Sequence, residues 1–407
     1  MFKTPKKSFQ VQTNTQHTGG RYIPNRVSSA LSGFTKSEPL PNKLSYCKIL
    51  ESLLPLPTNL LNYKPLPVSS PDISSSFSTL LPLRSCLPRQ VPHSPYKILD
   101  APGFPDDYYL NILDWGPNNH IAAGLAQNVF ILHPITGKVT KFCNLQNPVT
   151  SLSFNSSGNQ LAVGTSSGSV LVYDTQVGRV TSSFHSHSDR VGVLSWNSTV
   201  ISSGSADHNI SHSDSRSKDT FAKFQFHKDE VCGLKWNADG RLVASGGNDN
   251  TVVLWSIRHS RPVFKFTEHT AAVKALAWSP HKSCELASGG GSSDKTIRLW
   301  DTQTLTKSCA VNTQSQICSL VFSNTSNELV SAHGPPQNEI AVWELPGMQK
   351  EGVMLGHSSR VLHLALSPDS KSLLSGSGDE TLRFWKVFSC TKNTELKWMI
   401  PSEHFPR

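Results

Sequence analysis

The sequence predicts an all-β fold: seven small antiparallel sheets closed into a ring, preceded by a basic segment without a core of its own. Three observations predict it. The first is texture. From residue 99 onward, short runs rich in Val, Ile, Leu and Trp alternate with Gly, Ser, Asn and Asp turns, the pattern of strands joined by tight connections. The second is a period. Turn-bounded strand ends at Leu132, Tyr173, Ser213, Trp255, Trp300, Trp343 and Trp385 follow one another at 41, 40, 42, 45, 43 and 42 residues, the spacing of four-stranded propeller blades. The third is a change of composition near residue 98, before which 13 of the 26 prolines fall.

Residues 1–98 are expected to be a disordered tail. Runs such as Pro65-Leu66-Pro67-Val68-Ser69-Ser70-Pro71 cannot sustain helix or strand, because proline lacks the N–H and restricts its predecessor. So little apolar surface does not offset the entropy of ordering the chain. The tail also carries the net charge. Residues 1–99 hold 12 Lys/Arg against 3 Asp/Glu, and the rest of the chain holds 26 of each. A basic arm of this kind can find nucleic acid, find an acidic protein groove, or simply stay solvated. Two apolar islands within it, Arg21 to Arg26 and Tyr46 to Leu54, read as docking segments.

The ring is expected over residues 99–390. Each unit has a strand ending in an aromatic or Leu and a turn, as in Leu152-Ser153-Phe154, Leu194-Ser195-Trp196, Leu234-Lys235-Trp236 and Leu276-Ala277-Trp278. A second strand then runs into Gly/Ser, as in Leu242-Val243-Ala244-Ser245-Gly246. The alternation lets one face pack on the neighbouring unit. Together these features define a seven-bladed WD-repeat β-propeller, a closed ring that leaves few open edges. The first unit, Ile112 to Leu132, is degenerate, and either Tyr108 to Leu110 or the chain end is expected to complete a shared blade. Residues 391–407 form a C-terminal tail.

Histidine and aspartate recur together: His187 with Asp207, His227 with Asp249, His269 with Asp294, His357 with Asp379. Nearby serines make each pair resemble a catalytic triad. Four repeats of one arrangement indicate a structural bond from loop to sheet instead, so no catalytic residue is assigned and the chain is read as a binding protein, not an enzyme. No metal-ligand spacing occurs, and the eight cysteines include no C-x-x-C. Cys232, Cys284 and Cys318 sit among apolar residues as core fillers. Gly289-Gly290-Gly291 lacks the Lys-Ser/Thr of a phosphate loop. No cofactor or metal is expected. No secretory signal or membrane-length apolar run is present, which points to nucleus and cytoplasm.

Some stretches belong to no generic blade. They include Tyr96-Lys97-Ile98-Leu99-Asp100-Ala101-Pro102, Asp106-Asp107-Tyr108-Tyr109-Leu110-Asn111, Ser188-Asp189-Arg190-Val191-Gly192, Ser245-Gly246-Gly247-Asn248-Asp249-Asn250 and His357-Ser358-Ser359-Arg360-Val361-Leu362. Over residues 96–390 the chain resembles the fizzy/fizzy-related family, substrate-recruiting coactivators of the anaphase-promoting complex, a ubiquitin ligase. Arg21-Tyr22-Ile23-Pro24 resembles that family's C-box, with Gly20 where an acidic residue is usual. Tyr46 to Leu54, with Leu50 and Leu53, resembles a segment of the fizzy-related branch. The family's terminal Ile-Arg stands here as Pro406-Arg407.

The resemblance implies a bridge. Arg21, Tyr22, Ile23, Pro24, Tyr46, Leu50, Leu53 and Arg407 would dock on the ligase subunits. A groove between the first and last blades would bind the destruction box of substrate proteins, with Asp100 and Glu380 on its Arg and Leu99 lining its Leu pocket. One face would bind the Lys-Glu-Asn degron. There Asp107 would meet the Lys and Arg360 the Glu, with Asn248, Asn250, Ser292 and Gln316 as neutral partners. Checkpoint or pseudosubstrate inhibitors would compete for these sites. Thr4-Pro5-Lys6-Lys7 and Ser94-Pro95-Tyr96-Lys97 fit the pattern of a cyclin-dependent kinase; Ser279 fits it too, but inside a blade. The alternative is a WD-repeat scaffold whose tail binds RNA or chromatin. Against that reading, and against a nucleic-acid partner, the tail lacks interleaved aromatics and Arg-Gly repeats.

Overall fold

The computed structural model describes residues 91–217, 219–257 and 261–388. They form seven antiparallel four-stranded sheets. Six sheets take four strands consecutive in sequence, beginning with Leu113–Trp115 in the first blade and ending with Gln349–Met354 in the sixth. The seven periodic positions all lie on the third strand of a sheet, from Asn128–Leu132 in the first blade to Thr381–Trp385 in the last. The seven-bladed ring expected from the period is therefore the observed fold.

Ring closure differs from the expectation. The last blade orders its strands as Lys97–Asp100, Thr381–Trp385, Leu373–Ser377, Val361–Leu366. Its outer strand thus comes from the other end of the propeller, paired as Lys97↔Phe384 through Asp100↔Thr381. Neither Tyr108 to Leu110 nor the chain end performs this role. Lys97–Asp100 can, because Leu99 is half-buried against the neighbouring core while Ile98 and Asp100 face out. The folded unit also takes in residues that composition assigns to the tail: Val91 is buried beside Met354, Trp385 and Phe388.

The apolar clusters lie between blades. Phe224 on the outer strand of the third blade stacks on Trp255 of the fourth at 4.8 Å, and Phe266 of the fourth on Trp300 of the fifth at 4.2 Å. Trp255, Trp300 and Trp385 are all but fully buried. Each such side chain contributes about 1.5–3 kcal/mol or more by area removed from water, so the third-strand Trp welds one blade to the next.

The indole N–H donors need partners once buried. Trp255 Nε1 donates to Ser245 Oγ at 2.8 Å, which lies 2.7 Å from His227 Nε2, and His227 Nδ1 meets Asp249 at 3.1 Å. The carboxylate can only accept, so Nδ1 carries the proton and Nε2 accepts from the serine. Trp300–Ser288–His269–Asp294 and Trp385–Ser375–His357–Asp379 repeat the chain. His187–Asp207 keeps it with Ser203 and no third-strand Trp. These pairs are braces, as the repetition implied. Burial holds His187 and His357 below the usual histidine range despite the adjacent carboxylates, consistent with neutral rings.

Candidate functional site

All connections from second to third strand, and from one blade's outer strand to the next blade's inner strand, open on one end of the ring, because consecutive strands are antiparallel. Three regions at that end are distinct. They are the seam where the ring closes, a polar face, and the mouth of the central channel.

At the seam, Ala101 N donates to Glu380 O at 2.8 Å and Asp100 pairs with Thr381. Asp100 and Glu380, nearly the whole propeller apart in sequence, thus become neighbours, and both are exposed. Glu380 sits at φ 59°, a left-handed turn position. The blade does not require its carboxylate, since Asp379 serves His357. Leu99 leans on the cluster of Phe104, Leu113, Trp115, Leu382 and Phe384 that joins the first and last blades. The structure therefore brings Leu99, Asp100 and Glu380 together.

On the face, the other sequence-selected residues divide. Ser292, Gln316 and Arg360 line one cavity of about 320 Å³ with Asp106, Lys295, Pro335 and Ser359. Arg360 is already engaged: Nε donates to Asp106 Oδ1 at 2.5 Å and Nη2 to Asp106 O at 2.6 Å. Three of its five N–H donors remain, on the Nη edge. Asp107 belongs to a second group. It caps Tyr109 N at 2.8 Å and lies 3.4 Å from Arg190, whose guanidinium also grips Glu230 at 2.7 and 2.9 Å. Asn248 has both ends of its amide engaged, accepting from Tyr109 Oη at 2.9 Å and donating to Asp229 at 2.7 Å. Burial raises the Tyr109 phenol, which keeps it a donor. Asn250 occupies a left-handed turn, φ 63°, with its N–H on Gly247 O.

Across the channel mouth runs a strap, Asp106 to Asn111. In six blades the inner strand skips one residue of its pairing, and the skipped residues are Thr150, Gly192, Cys232, Lys274, Cys318 and Leu362. Tyr108 is buried against Cys318 and Leu362, its hydroxyl 3.3 Å from Ile317 O. Asn111 Nδ2 donates to Gly192 O at 2.9 Å and Cys232 O at 3.3 Å. Lys274 Nζ donates to Leu110 O at 2.9 Å and Leu362 O at 3.4 Å, with its charge over the Tyr108 ring at 5.5 Å. With Asn111 also paired to Thr150 and Leu152 of the second blade and Asp106 to Arg360 of the seventh, six residues bond to six of the seven blades.

Sequence reasoning missed Asp106, Tyr108, Arg190 and Lys274. Lys274 had a signal, a lone cation in the apolar strand Val273–Trp278. Asp106 had a weaker one, the adjacent acidic residue of which only Asp107 was chosen. Of the remaining selected residues, Ser94 is exposed beside the closing strand, and Ser279 is buried. Cys232 and Cys318 are buried as expected, while Cys284 is only half-buried. Thr4, Arg21, Tyr22, Ile23, Pro24, Tyr46, Leu50, Leu53 and Arg407 lie outside the described residues. Among the described residues no cluster of His, Cys, Asp and Glu could hold a metal, and no helix is long and apolar enough to cross a membrane.

Residues 99–385 match the model of the CDC20/Fizzy WD40 domain. The chain is similar to Protein FIZZY-RELATED 1 of Arabidopsis thaliana, 42% identical over 418 residues that cover 95% of this chain and 88% of that one. It is 43% identical to the APC/C activator protein CDH1 of Saccharomyces cerevisiae over 305 residues, 75% of this chain and 54% of that protein. Among solved structures, a chain from the crystal structure of a mitotic checkpoint complex superposes with a TM-score of 0.72 at 40% identity, covering 74% of this chain and 98% of that chain.

Proposed function

The chain belongs to the CDC20/Fizzy family of WD40 proteins, and from that membership we propose that it is a non-catalytic activator of the anaphase-promoting complex that carries degron-bearing substrates to the ligase. The observation that carries the reading is the seam. Asp100 and Glu380 are exposed backbone neighbours there, with no salt bridge to either among the described residues, beside a half-buried leucine. Such a pair is stabilised by an incoming guanidinium through charge-assisted hydrogen bonds, and an Arg followed by an apolar residue is what a destruction box presents.

The Lys-Glu-Asn degron would use the face. Asp106 holds Arg360 from one side, so the free Nη edge is pre-oriented to receive the degron's carboxylate without loss of rotamer entropy. Ser292 and Gln316 share its cavity. Asp107, Asn248 and Asn250 stand further round the face, where the Arg190 and Tyr109 contacts make Asp107 and Asn248 rigid. With substrate on the propeller and ligase on the tail, the substrate's lysines gain effective concentration near the ubiquitin donor, with no chemistry performed by this chain.

The arm before residue 91 would dock through Arg21, Tyr22, Ile23 and Pro24 and through Tyr46, Leu50 and Leu53, and the C-terminus through Arg407. Thr4 and Ser94 would be sites for a cyclin-dependent kinase, each phosphate subtracting about 1.5–2 charges from the basic arm. Nucleus and cytoplasm would be the working compartments, and checkpoint inhibitors carrying pseudosubstrate motifs would be competitors. The test is reconstituted ubiquitination of a destruction-box substrate by the anaphase-promoting complex. Transfer should depend on this chain, and transfer that is unchanged by its addition refutes the proposal.

A further inference from the structure

The cavity beside Arg360 contains a second cation that the reading above leaves unused. Lys295 lines it together with Arg360, Gln316 and Ser292. Asp106 is the only carboxylate among the lining residues, and it is spent on Arg360. Among the described residues no carboxylate lies within ion-pair distance of Lys295. The cavity therefore holds two cations against one internal anion, and a ligand carboxylate seated on Arg360 would balance the sum while leaving Lys295 without a partner of its own.

Backbone geometry points the same way. Lys295 lies at φ 56°, in the left-handed region that costs any residue with a Cβ. The same turn position is left-handed in five other blades, at Gly168, His208, Asn250, Asn338 and Glu380, and only Gly168 is glycine. Glycine relieves the strain at Gly168, whereas Lys295 and the other four tips forgo that relief and present side chains at this end of the ring. Lys295 is also firmly placed: its N–H donates to Gly291 O at 3.0 Å, and its carbonyl accepts from Thr313 N at 2.9 Å and Thr313 Oγ1 at 3.0 Å.

We propose that Lys295 forms a second anionic subsite, which takes an acidic or phosphorylated residue of a bound peptide next to the one held by Arg360. The proposal rests on the degron reading and deepens it. A ligand residue that is neutral until phosphorylated would make substrate choice responsive to kinases at this subsite.

The experiment titrates the full-length chain with three fluorescent peptides: Lys-Glu-Asn with neutral flanks, with a flanking Glu, and with a flanking phosphoserine. Wild type should bind the Glu peptide about threefold more tightly than the neutral one, the range of a partly exposed ion pair, and the phosphoserine peptide more tightly still. The gain should shrink in high salt. Lys295→Met should bind all three peptides alike, at the wild-type affinity for the neutral one, whereas Arg360→Ala should weaken all three. Equal affinity of wild type for the three peptides, or an undiminished gain in Lys295→Met, overturns the subsite and leaves the degron reading standing. If wild type binds none of the peptides, both fall.

Discussion

Lys274 offers a quantitative test of the channel mouth. Its ammonium is fully buried, faces the Leu110 and Leu362 carbonyls and the Tyr108 ring, and has no carboxylate in contact among the described residues. Burial lowers its pKa from 10.5 to about 8, against the pull of Cys318, Cys232 and Asp107, while Arg360 adds to the lowering. The gap corresponds to about 3 kcal/mol. Between pH 8 and 10.5 the unfolded chain keeps a proton that the folded chain has released, so stability attributable to Lys274 rises with pH in that window. About 2–3 kcal/mol should return between pH 7 and pH 10.

Neighbouring groups act in the opposite sense. Burial raises Cys318 to about 12 and raises Cys232 and Tyr108 as well, so the fold holds protons that the unfolded chain loses above pH 9. His363, lowered by burial, is neutral throughout this range. The comparison must therefore be wild type against Lys274→Met. Urea unfolding of both proteins at pH 7, 8, 9 and 10 gives the difference in stability, which should shift in favour of wild type by about 2–3 kcal/mol over the series. A difference that does not change with pH would mean that Lys274 titrates as a solvated lysine and that the strap is not anchored by a buried cation.

Three other outcomes are expected. Asp100→Ala with Glu380→Ala should weaken a destruction-box peptide at least about tenfold, or 1.4 kcal/mol, and spare a Lys-Glu-Asn peptide, measured by titration; parallel loss of both peptides would mean that the two sites are misassigned. Arg21→Ala should abolish co-precipitation with the ligase at unchanged Tm, since a bidentate guanidinium contact is hard to replace; normal co-precipitation would remove the C-box assignment. Burial lowers His212 to about 4 and His333 to about 3, so the unfolded chain gains protons before the fold does and stability should fall as pH drops below 6.5. His333→Gln should flatten part of that acid limb, and an identical limb in the variant would contradict the neutral buried ring.

The number of blades was legible because the third-strand position repeats, and even the unit with Ser213 in place of Trp kept its place in the period. Closure was not legible. Lys97–Asp100 is too short and too exposed to stand out as a strand, and its partner lies at the far end of the propeller. Asp100 and Glu380 were singled out by the family resemblance, the blade pattern leaves both unexplained, and ring closure supplied their proximity. The face was legible only in part. Periodicity reports strands, whereas the Asp106–Arg360 and Tyr109–Asn248 contacts join residues in turns and in the strap, and no repeat marks such pairs. Asn250 shows the cost: a turn residue and a ligand contact have the same signature in sequence.

The closing strand also imposes a schedule on synthesis. Lys97 and its partner Phe384 are separated by nearly the whole propeller, and closing a flexible loop of that size costs about 5 kcal/mol of chain entropy. At about 5–20 residues per second, the first strand leaves the ribosome roughly 15–60 seconds before the strand it must pair with. During that interval its backbone edge is open and its seam does not exist. A nascent chain can assemble its middle blades early, but Asp100 meets Glu380 only after translation has passed Trp385. Any product shortened within the last blade would keep most of the polar face and lack the seam, so destruction-box capture would be confined to chains that have completed the circle.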